Sequence, residues 1–250
     1  MLAAWIGAAL VGLSLGLLGS GGSILTVPVL VFLAGRDEHT AVVEALAIVG
    51  AIALAGALVQ AWRGRVDARW AALLIGPGLP GAWVGARLHR LVPESVTALA
   101  FGLLVVLAGI ELLRRAGQKA TPAARVRAVP ALLAGLGVGV LTGFLGVGGG
   151  FLIVPVLVLL ARLPLDRAAG TSLAVIAANS LAGLAAHRLQ AGAGEPPLDL
   201  HLIVLFASVG IAGSMAGLAL APHLPAARLQ RAFATVLFLV GGAVALGGLG

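Results

Sequence analysis

A glycine-rich stretch between two apolar runs occurs twice in this 250-residue chain. The first copy is Gly16-Leu-Leu-Gly19-Ser20-Gly21-Gly22 with Pro28 behind it, and the second starts 127 residues later at Gly143 and is followed by Pro155. In a membrane, a helix that stops, turns and restarts survives only where protein or a watery cavity satisfies the freed backbone groups. Such breaks at equivalent positions in two halves are the best sequence indication of a transporter's binding site. The pair predicts two interrupted helices around one site.

Charged side chains are nearly absent from the apolar runs. Of the whole chain, 60% is hydrophobic and 10% is charged, whereas soluble domains average about a quarter charged. No charge occurs from residue 1 to 35 or from 128 to 161. Apolar stretches of this length predict membrane-spanning helices. The fold class expected is therefore all-α, a polytopic protein within the lipid bilayer.

The net charge of +7 does not indicate a nucleic-acid surface. The basic residues lie in short gaps between apolar runs, as expected for loops that face the cytoplasm. The chain has no cysteine, which excludes disulfides, thiolate catalysis and cysteine metal sites. No pattern in the sequence predicts a metal or a cofactor.

Ten apolar segments divide into two groups of five around a polar gap at 114–127 that carries five basic residues and no acidic one. We therefore expect a first transmembrane repeat at 1–113, a linker at 114–127 and a second repeat at 128–250. The segments are approximately 2–18, 23–35, 40–61, 68–90, 93–113, 128–145, 151–163, 166–189, 199–222 and 225–248.

The arginine and lysine residues predict the orientation. With five segments per repeat, twelve of the sixteen basic residues fall on the side of the linker and four on the other. The linker is then cytoplasmic, both termini lie outside, and the odd number of segments inverts the second repeat relative to the first. The second segment of each repeat is too short to cross the bilayer, so we expect the first two segments to form a broken or re-entrant hairpin. The two glycine tips would then meet near the midplane.

A helix that begins after a glycine turn presents unpaired N–H groups and the positive end of its dipole, which attract anions. Two such starts facing each other would hold a small anion without a buried arginine. An alternative is that the glycines only allow close helix packing, which we favour for Gly12, Gly16, Gly81 and Gly85. The predicted substrate-binding residues are Gly19, Ser20, Gly21, Gly22 and Ser23 in the first copy, with Thr26 as a further hydroxyl donor, and Gly146, Gly148, Gly149 and Gly150 in the second. Pro28 and Pro155 are the predicted hairpin kinks.

Glu44 is the candidate for proton coupling, because carboxylates in apolar segments often relay protons. The alternative is a glutamate at a helix start near the membrane surface, close to Arg36 and His39. Asn179, in the eighth segment, either faces the substrate or hydrogen-bonds another helix.

Two further predictions concern segment ends. Asp67 and Asp199 resemble helix N-caps, and Gln60 and His187 are expected at the membrane interface.

The doubled G-x-G-G-x-x-x-x-x-P pattern at Gly19–Pro28 and Gly146–Pro155, the ten segments and the length resemble the TauE/SafE family of sulfite exporters and anion permeases. The resemblance covers the whole chain. It implies secondary transport of sulfur-containing or organic anions, such as sulfite or sulfonates, across the inner membrane.

Two other functions compete with a carrier. One is a passive anion channel, which the sequence separates poorly from a carrier. The other is an intramembrane enzyme, because Gly12-Leu-Ser14-Leu-Gly16 matches the nucleophile-elbow pattern G-x-S-x-G, although that pattern requires a strand-to-helix turn. We expect no enzyme activity. The sequence allows a homo-oligomer without predicting one.

Overall fold

The computed structural model describes residues 2–89, 128–145, 150–190 and 198–247, together with positions 102–103, 106–107, 109–111 and 113–114. Every regular element in these ranges is a helix. Three helical stretches in them are long and apolar enough to cross a membrane, namely Thr40–Trp62, Leu165–Arg188 and Leu200–His223. The chain is an all-α polytopic membrane protein, as predicted.

The helices follow the predicted segments closely. The first half contains α1 (Leu2–Leu18), α2 (Gly22–Pro28), a π-helical turn (Val29–Leu33), α3 (Glu38–Trp62) and α4 (Ala68–His89). The second half contains α5 (Ala128–Leu145), α6 (Gly150–Leu159), α7 (Leu165–Gln190), α8 (Leu200–Leu220), a 3-10 turn (Ala221–His223) and α9 (Ala226–Gly247). The described positions between 102 and 114 are also helical. Most of the predicted linker, 115–127, lies outside the described residues.

Two aspartates cap the helices that they precede. An Asp67 carboxylate oxygen accepts a hydrogen bond from the Trp70 amide at 3.0 Å, and Asp199 accepts one from the Leu202 amide at 3.0 Å. These bonds satisfy amides that have no partner inside the helix. The N-cap predictions for Asp67 and Asp199 are confirmed.

The two prolines differ in their surroundings. Pro28 ends α2, and the chain continues without a gap into the π-helical turn. Because proline lacks an N–H, a change in hydrogen-bond pattern is expected at this point. Pro155 lies inside α6, which continues to Leu159.

α1 and α2 form an antiparallel hairpin. Gly7, early in α1, lies against Val29 at the end of the hairpin, while Gly22 lies against Val11 and Leu15. At 1.5 Å per residue the stretch from Gly22 to Leu33 is about 18 Å long, and α6 is about 15 Å long. Both are shorter than the hydrocarbon core of about 30 Å, so neither crosses a membrane alone.

The centre of the fold is an antiparallel pair formed by α3 and α7, the equivalent helices of the two halves. Residues early in α3 face residues late in α7, and the order reverses along the pair. The contacts are Leu46 with Gly183, Gly50 with Ser180 and Leu181, Gly56 with Leu173, and Gln60 and Arg65 with Gly170. Antiparallel packing of equivalent helices is the relation expected for inverted repeats. The orientation of the halves across a membrane remains a prediction.

Two parallel helix pairs flank this centre, α1 with α8 and α4 with α5. The two pairs are equivalent, because α5 in the second half corresponds to α1 in the first, and α8 corresponds to α4. Glycine allows the backbones to touch: a Cβ on Gly12 would collide with the Gly210 carbonyl, and one on Gly81 would lie 2.6 Å from the Leu136 oxygen. The packing role expected for Gly12, Gly16 and Gly81 is thereby explained, since Gly16 meets Ser214 in the same way.

Gly139 and Gly137 in α5 offer a matched test of this packing. A Cβ on Gly139 would collide with the Gly78 backbone, whereas nothing lies within 4 Å of one on Gly137. Gly139→Val should lower the free energy of unfolding by about 1–3 kcal/mol through overpacking. Gly137→Val should be nearly neutral. Thermal and denaturant unfolding in detergent would measure both; equal losses would contradict backbone contact as the cause.

Candidate functional site

The first helix break is built around Gly19. This residue has φ of +77°, and a Cβ on it would lie 2.5 Å from the Ala169 Cα, so only glycine fits. The Gly19 amide donates to the Leu15 carbonyl at 2.8 Å. The Gly19 carbonyl accepts a hydrogen bond from the Ser172 hydroxyl on α7. The break in the first half is therefore held by a helix of the second half.

The other glycines of this copy have packing roles. Gly22 fits closely against α1, where a Cβ would collide with the Val11 carbonyl. A Cβ on Gly21 would lie 3.3 Å from Leu18 Cδ1, a tight contact, and 3.5 Å from the Phe233 ring. The close-packing alternative thus explains Gly22 directly, and it leaves the amides at the start of α2 as the groups to consider for a ligand.

Some hydroxyl groups near the break donate hydrogen bonds within the protein, and one does not. Ser23 donates to the Ser20 carbonyl at 2.8 Å, and Thr26 donates to the Gly22 carbonyl at 3.0 Å. The Ser20 hydroxyl is completely buried and has no partner within the described ranges. Of the three hydroxyls predicted as donors to an anion, Ser20 is the one left free to serve.

Of the second glycine tip, Gly146, Gly148 and Gly149 lie outside the described residues. Gly150 is described, is buried and begins α6. A Cβ on Gly150 would lie 2.7 Å from the Ser23 hydroxyl oxygen and 2.8 Å from Ile176 Cδ1. The starts of α2 and α6 therefore meet.

The meeting point lies near the middle of the α3–α7 pair. Ile176 is between Leu173, which faces Gly56, and Ser180, which faces Gly50. Since α3 extends from residue 38 to 62, these contacts are close to its centre. One side of α7 thus lines both breaks, with Ser172 at the first and Ile176 at the second.

Ser172 was not among the predicted site residues. Its only sequence signal is the hydroxyl pair Thr171-Ser172 within an apolar helix. Thr171 also bonds across the halves, because its hydroxyl oxygen accepts a hydrogen bond from the Asp67 amide at 2.9 Å.

Asn179 lies one turn beyond Ile176 on α7. It is half-buried, and its side-chain oxygen is buried without a partner in the described part of the chain. The hydroxyl of the neighbouring Ser180 is also buried without a partner among the described residues.

Glu44 lies in an ion cluster away from the breaks. Its buried carboxylate binds Arg36 through two bonds, one of them 2.9 Å from Nε to Oε2. Arg36 also lies 3.6 Å from Asp199 of the second half. The hydrogen bond with Glu44 raises the pKa of Arg36 above its ordinary value. Glu44 is six residues from Gly50, about 9 Å along the helix axis, so it does not touch the meeting point. These contacts favour the alternative that Glu44 is a structural residue close to Arg36.

The structure also describes Gln60, His187 and Ser14. Gln60, predicted at the membrane interface, is buried against Gly170, because α7 packs closely there; His187 is half-buried. Ser14, the serine of the elbow pattern, lies inside α1 and donates to the Val11 carbonyl at 3.1 Å. It is not at a strand-to-helix turn.

Within the described ranges, His, Asp and Glu form no group of three that could hold a metal ion.

The long apolar helices and their packing are those of a multi-pass membrane protein. Residues 4–244 match the family described as Sulfite exporter TauE/SafE, and the chain belongs to that family.

The relatives with curated names agree with this class. The chain is 33% identical to a "Probable membrane transporter protein" of Xylella fastidiosa (strain 9a5c), over 92% of this chain and 89% of that protein. It is 26% identical to the "Probable membrane transporter protein YunE" of Bacillus subtilis, over 70% of this chain and 73% of that protein. No solved structure matches the chain significantly.

Proposed function

We propose that this transporter is a secondary carrier of small sulfur-containing or organic anions, of the sulfite and sulfonate type, and that it works by alternating access around the paired helix breaks. The observation that carries the proposal is the contact between Ser23 and Gly150, which brings the starts of α2 and α6 together near the centre of the fold.

The chemistry of such a site suits an anion. Helix starts direct N–H groups and the positive ends of their dipoles at the ligand, and the buried Ser20 hydroxyl can add a donor. These groups are neutral, so they avoid the cost of burying a charged arginine in the membrane. The proposed site consists of Gly19–Ser23, Gly146, Gly148–Gly150 and Asn179.

The proposed topology places the protein in a bacterial inner membrane. Repeats at 1–113 and 128–250 would have opposite orientations, with the linker 114–127 in the cytoplasm and both termini outside. The antiparallel packing of α3 and α7 supports the inversion, and inverted repeats are the usual basis of alternating access. A passive anion channel is the second candidate function.

Uptake of labelled anions into proteoliposomes tests the function. We expect accumulation of at least one member of a panel of sulfite, sulfate, thiosulfate, sulfoacetate, taurine and lactate under an imposed pH gradient. Unlabelled substrate inside the vesicles should accelerate uptake if the protein is a carrier. Uptake without such counterflow would indicate the channel, and no uptake of any anion would contradict both.

Ser20→Ala tests the site with little disturbance of packing. The substitution removes one unpartnered hydroxyl, so stability should not fall, while a lost hydrogen bond to a charged ligand of about 1.5–3 kcal/mol should raise KM roughly tenfold or more. Ser14→Ala is the matched control, because that hydroxyl bonds within its own helix, and it should leave transport unchanged. An unchanged KM in Ser20→Ala would remove Ser20 from the site, and loss of function in Ser14→Ala would revive the enzyme alternative.

Proton coupling through Glu44 is the remaining part of the proposal. Protonation would remove the carboxylate charge that binds Arg36, and Arg36 could then separate from Glu44 and Asp199. Glu44→Gln should therefore flatten the pH dependence of uptake while counterflow persists. Asp67→Asn is the matched control. Asp67 lies beyond the other end of α3, and asparagine can still cap α4, so this variant should retain the native pH profile. A native profile in Glu44→Gln would leave the ion pair with a structural role only.

A further inference from the structure

Five buried side-chain oxygens have no hydrogen-bond partner within the part of the chain that the structure describes. They belong to Ser20, Gln60, Asn179, Ser180 and Ser214. Buried polar groups in proteins are nearly always bonded to protein or to water. Five such oxygens in one apolar protein therefore indicate where water or a polar ligand lies.

The depth of each oxygen can be read from its contacts along α3. Ser180 lies against Gly50, and Asn179 is its neighbour, at the middle of the helix. The Ser214 hydroxyl oxygen would lie 3.4 Å from a Cβ on Gly56. Gly56 is about 9 Å beyond Gly50 along the axis of α3. Gln60 is one turn beyond Gly56. Gly19, which precedes Ser20, meets Ala169 next to the contact between Gln60 and Gly170.

All five oxygens thus lie between the middle of the protein and the C-terminal end of α3, which is next to Arg65. At that end Arg65 and Asp166, both partly exposed, face each other with 3.9 Å between Nε and Oδ2.

The other half of the depth differs. Between Gly50 and the start of α3, Leu46 lies against Gly183, which is an apolar contact. The charged groups at this end, Arg36, Glu44 and Asp199, bind one another across the two halves. Both ends thus have ionic contacts between the halves, and what distinguishes the Arg65 end is the row of unpartnered oxygens that leads to it.

We propose that Ser180, Ser214, Ser20 and Gln60 line an aqueous half-channel that connects the helix breaks to the Arg65 end of α3, and that the Arg36–Glu44–Asp199 cluster closes the opposite end. Its lining side chains are packed in this structure, with Ser20 and Ser214 0% exposed, so water and a small hydrated anion enter when the surrounding helices separate. Serine hydroxyls donate to either, while the Gln60 and Asn179 oxygens accept bonds from water. The assignment of the anion rests on the proposed function, whereas the aqueous path does not.

The absence of cysteine from the chain permits a direct test. Ser214→Cys would be exposed to sulfonatoethyl methanethiosulfonate, a small charged reagent that does not cross lipid, in sealed vesicles of each orientation. Ser208→Cys is the matched control, since Ser208 is on the same helix but on the outer, exposed surface of α8. Arg69→Cys, close to the Arg65 end, identifies the side of the membrane from which the reagent acts.

Ser214→Cys should react about tenfold faster than Ser208→Cys, because a thiol becomes a reactive thiolate in water and not in an apolar environment. Reaction should occur only from the side that labels Arg69→Cys. Ser180→Cys provides the same comparison should Ser214→Cys fail to fold. Reaction no faster than that of Ser208→Cys, or equal reaction from both sides, would overturn the half-channel.

The result separates the two proposals. Slow labelling in a protein that accumulates anions would reject the half-channel and keep the carrier. Fast one-sided labelling in a protein that moves none of the tested anions would support the path and reject the proposed function.

Discussion

The backbone groups freed at a helix break must find partners inside the protein, and this requirement determines the arrangement around Gly19. The Gly19 carbonyl, just beyond the end of α1, accepts a hydrogen bond from the Ser172 hydroxyl, and the Ser20 carbonyl accepts one from the Ser23 hydroxyl. An unsatisfied carbonyl in hydrocarbon costs several kcal/mol. Because Ser172 belongs to α7, the hairpin of the first half depends on the second half for one of these bonds. The break is a feature of the assembled fold and not of its own segment.

The two halves connect to each other by different chemistry at equivalent positions. Thr171 in α7 corresponds to Glu44 in α3, and Asp67 corresponds to Asp199. Thr171 binds the Asp67 amide directly, whereas Glu44 reaches Asp199 through Arg36. Leu163 stands where an equivalent of Arg36 would be. One end of the central pair is therefore joined by this neutral hydrogen bond and by the Arg65–Asp166 ion pair, and the other by the three charges of Arg36, Glu44 and Asp199. Such a difference would let the two ends open under different conditions.

Sequence reasoning predicted the elements of this fold better than their contacts. The glycine clusters, the aspartate caps and the segment lengths are local signals, and each helix end lies near its predicted position. The contact of Ser172 with Gly19 and the burial of Gln60 depend on which face of α7 meets α1 and α3. That choice is made by packing across more than 100 residues of chain, so no local pattern reports it. Gly22 shows the same limit: its motif predicted a ligand contact, while its missing side chain is first required by α1.

A carrier, the function proposed for this protein, must release what it binds, and the neutral groups at the proposed site suit that requirement. The described positively charged residues, such as Arg36, Arg63 and Arg65, lie at helix ends, where they can raise the local concentration of anions. The centre offers helix starts and hydroxyls, whose attraction for an anion is weaker than that of a buried arginine. Binding that is favourable but modest allows an ion both to arrive and to leave. The described charges lie at the helix ends, and the described glycines of the two motifs lie at the centre of the fold. This distribution favours rapid release of an anion over tight binding.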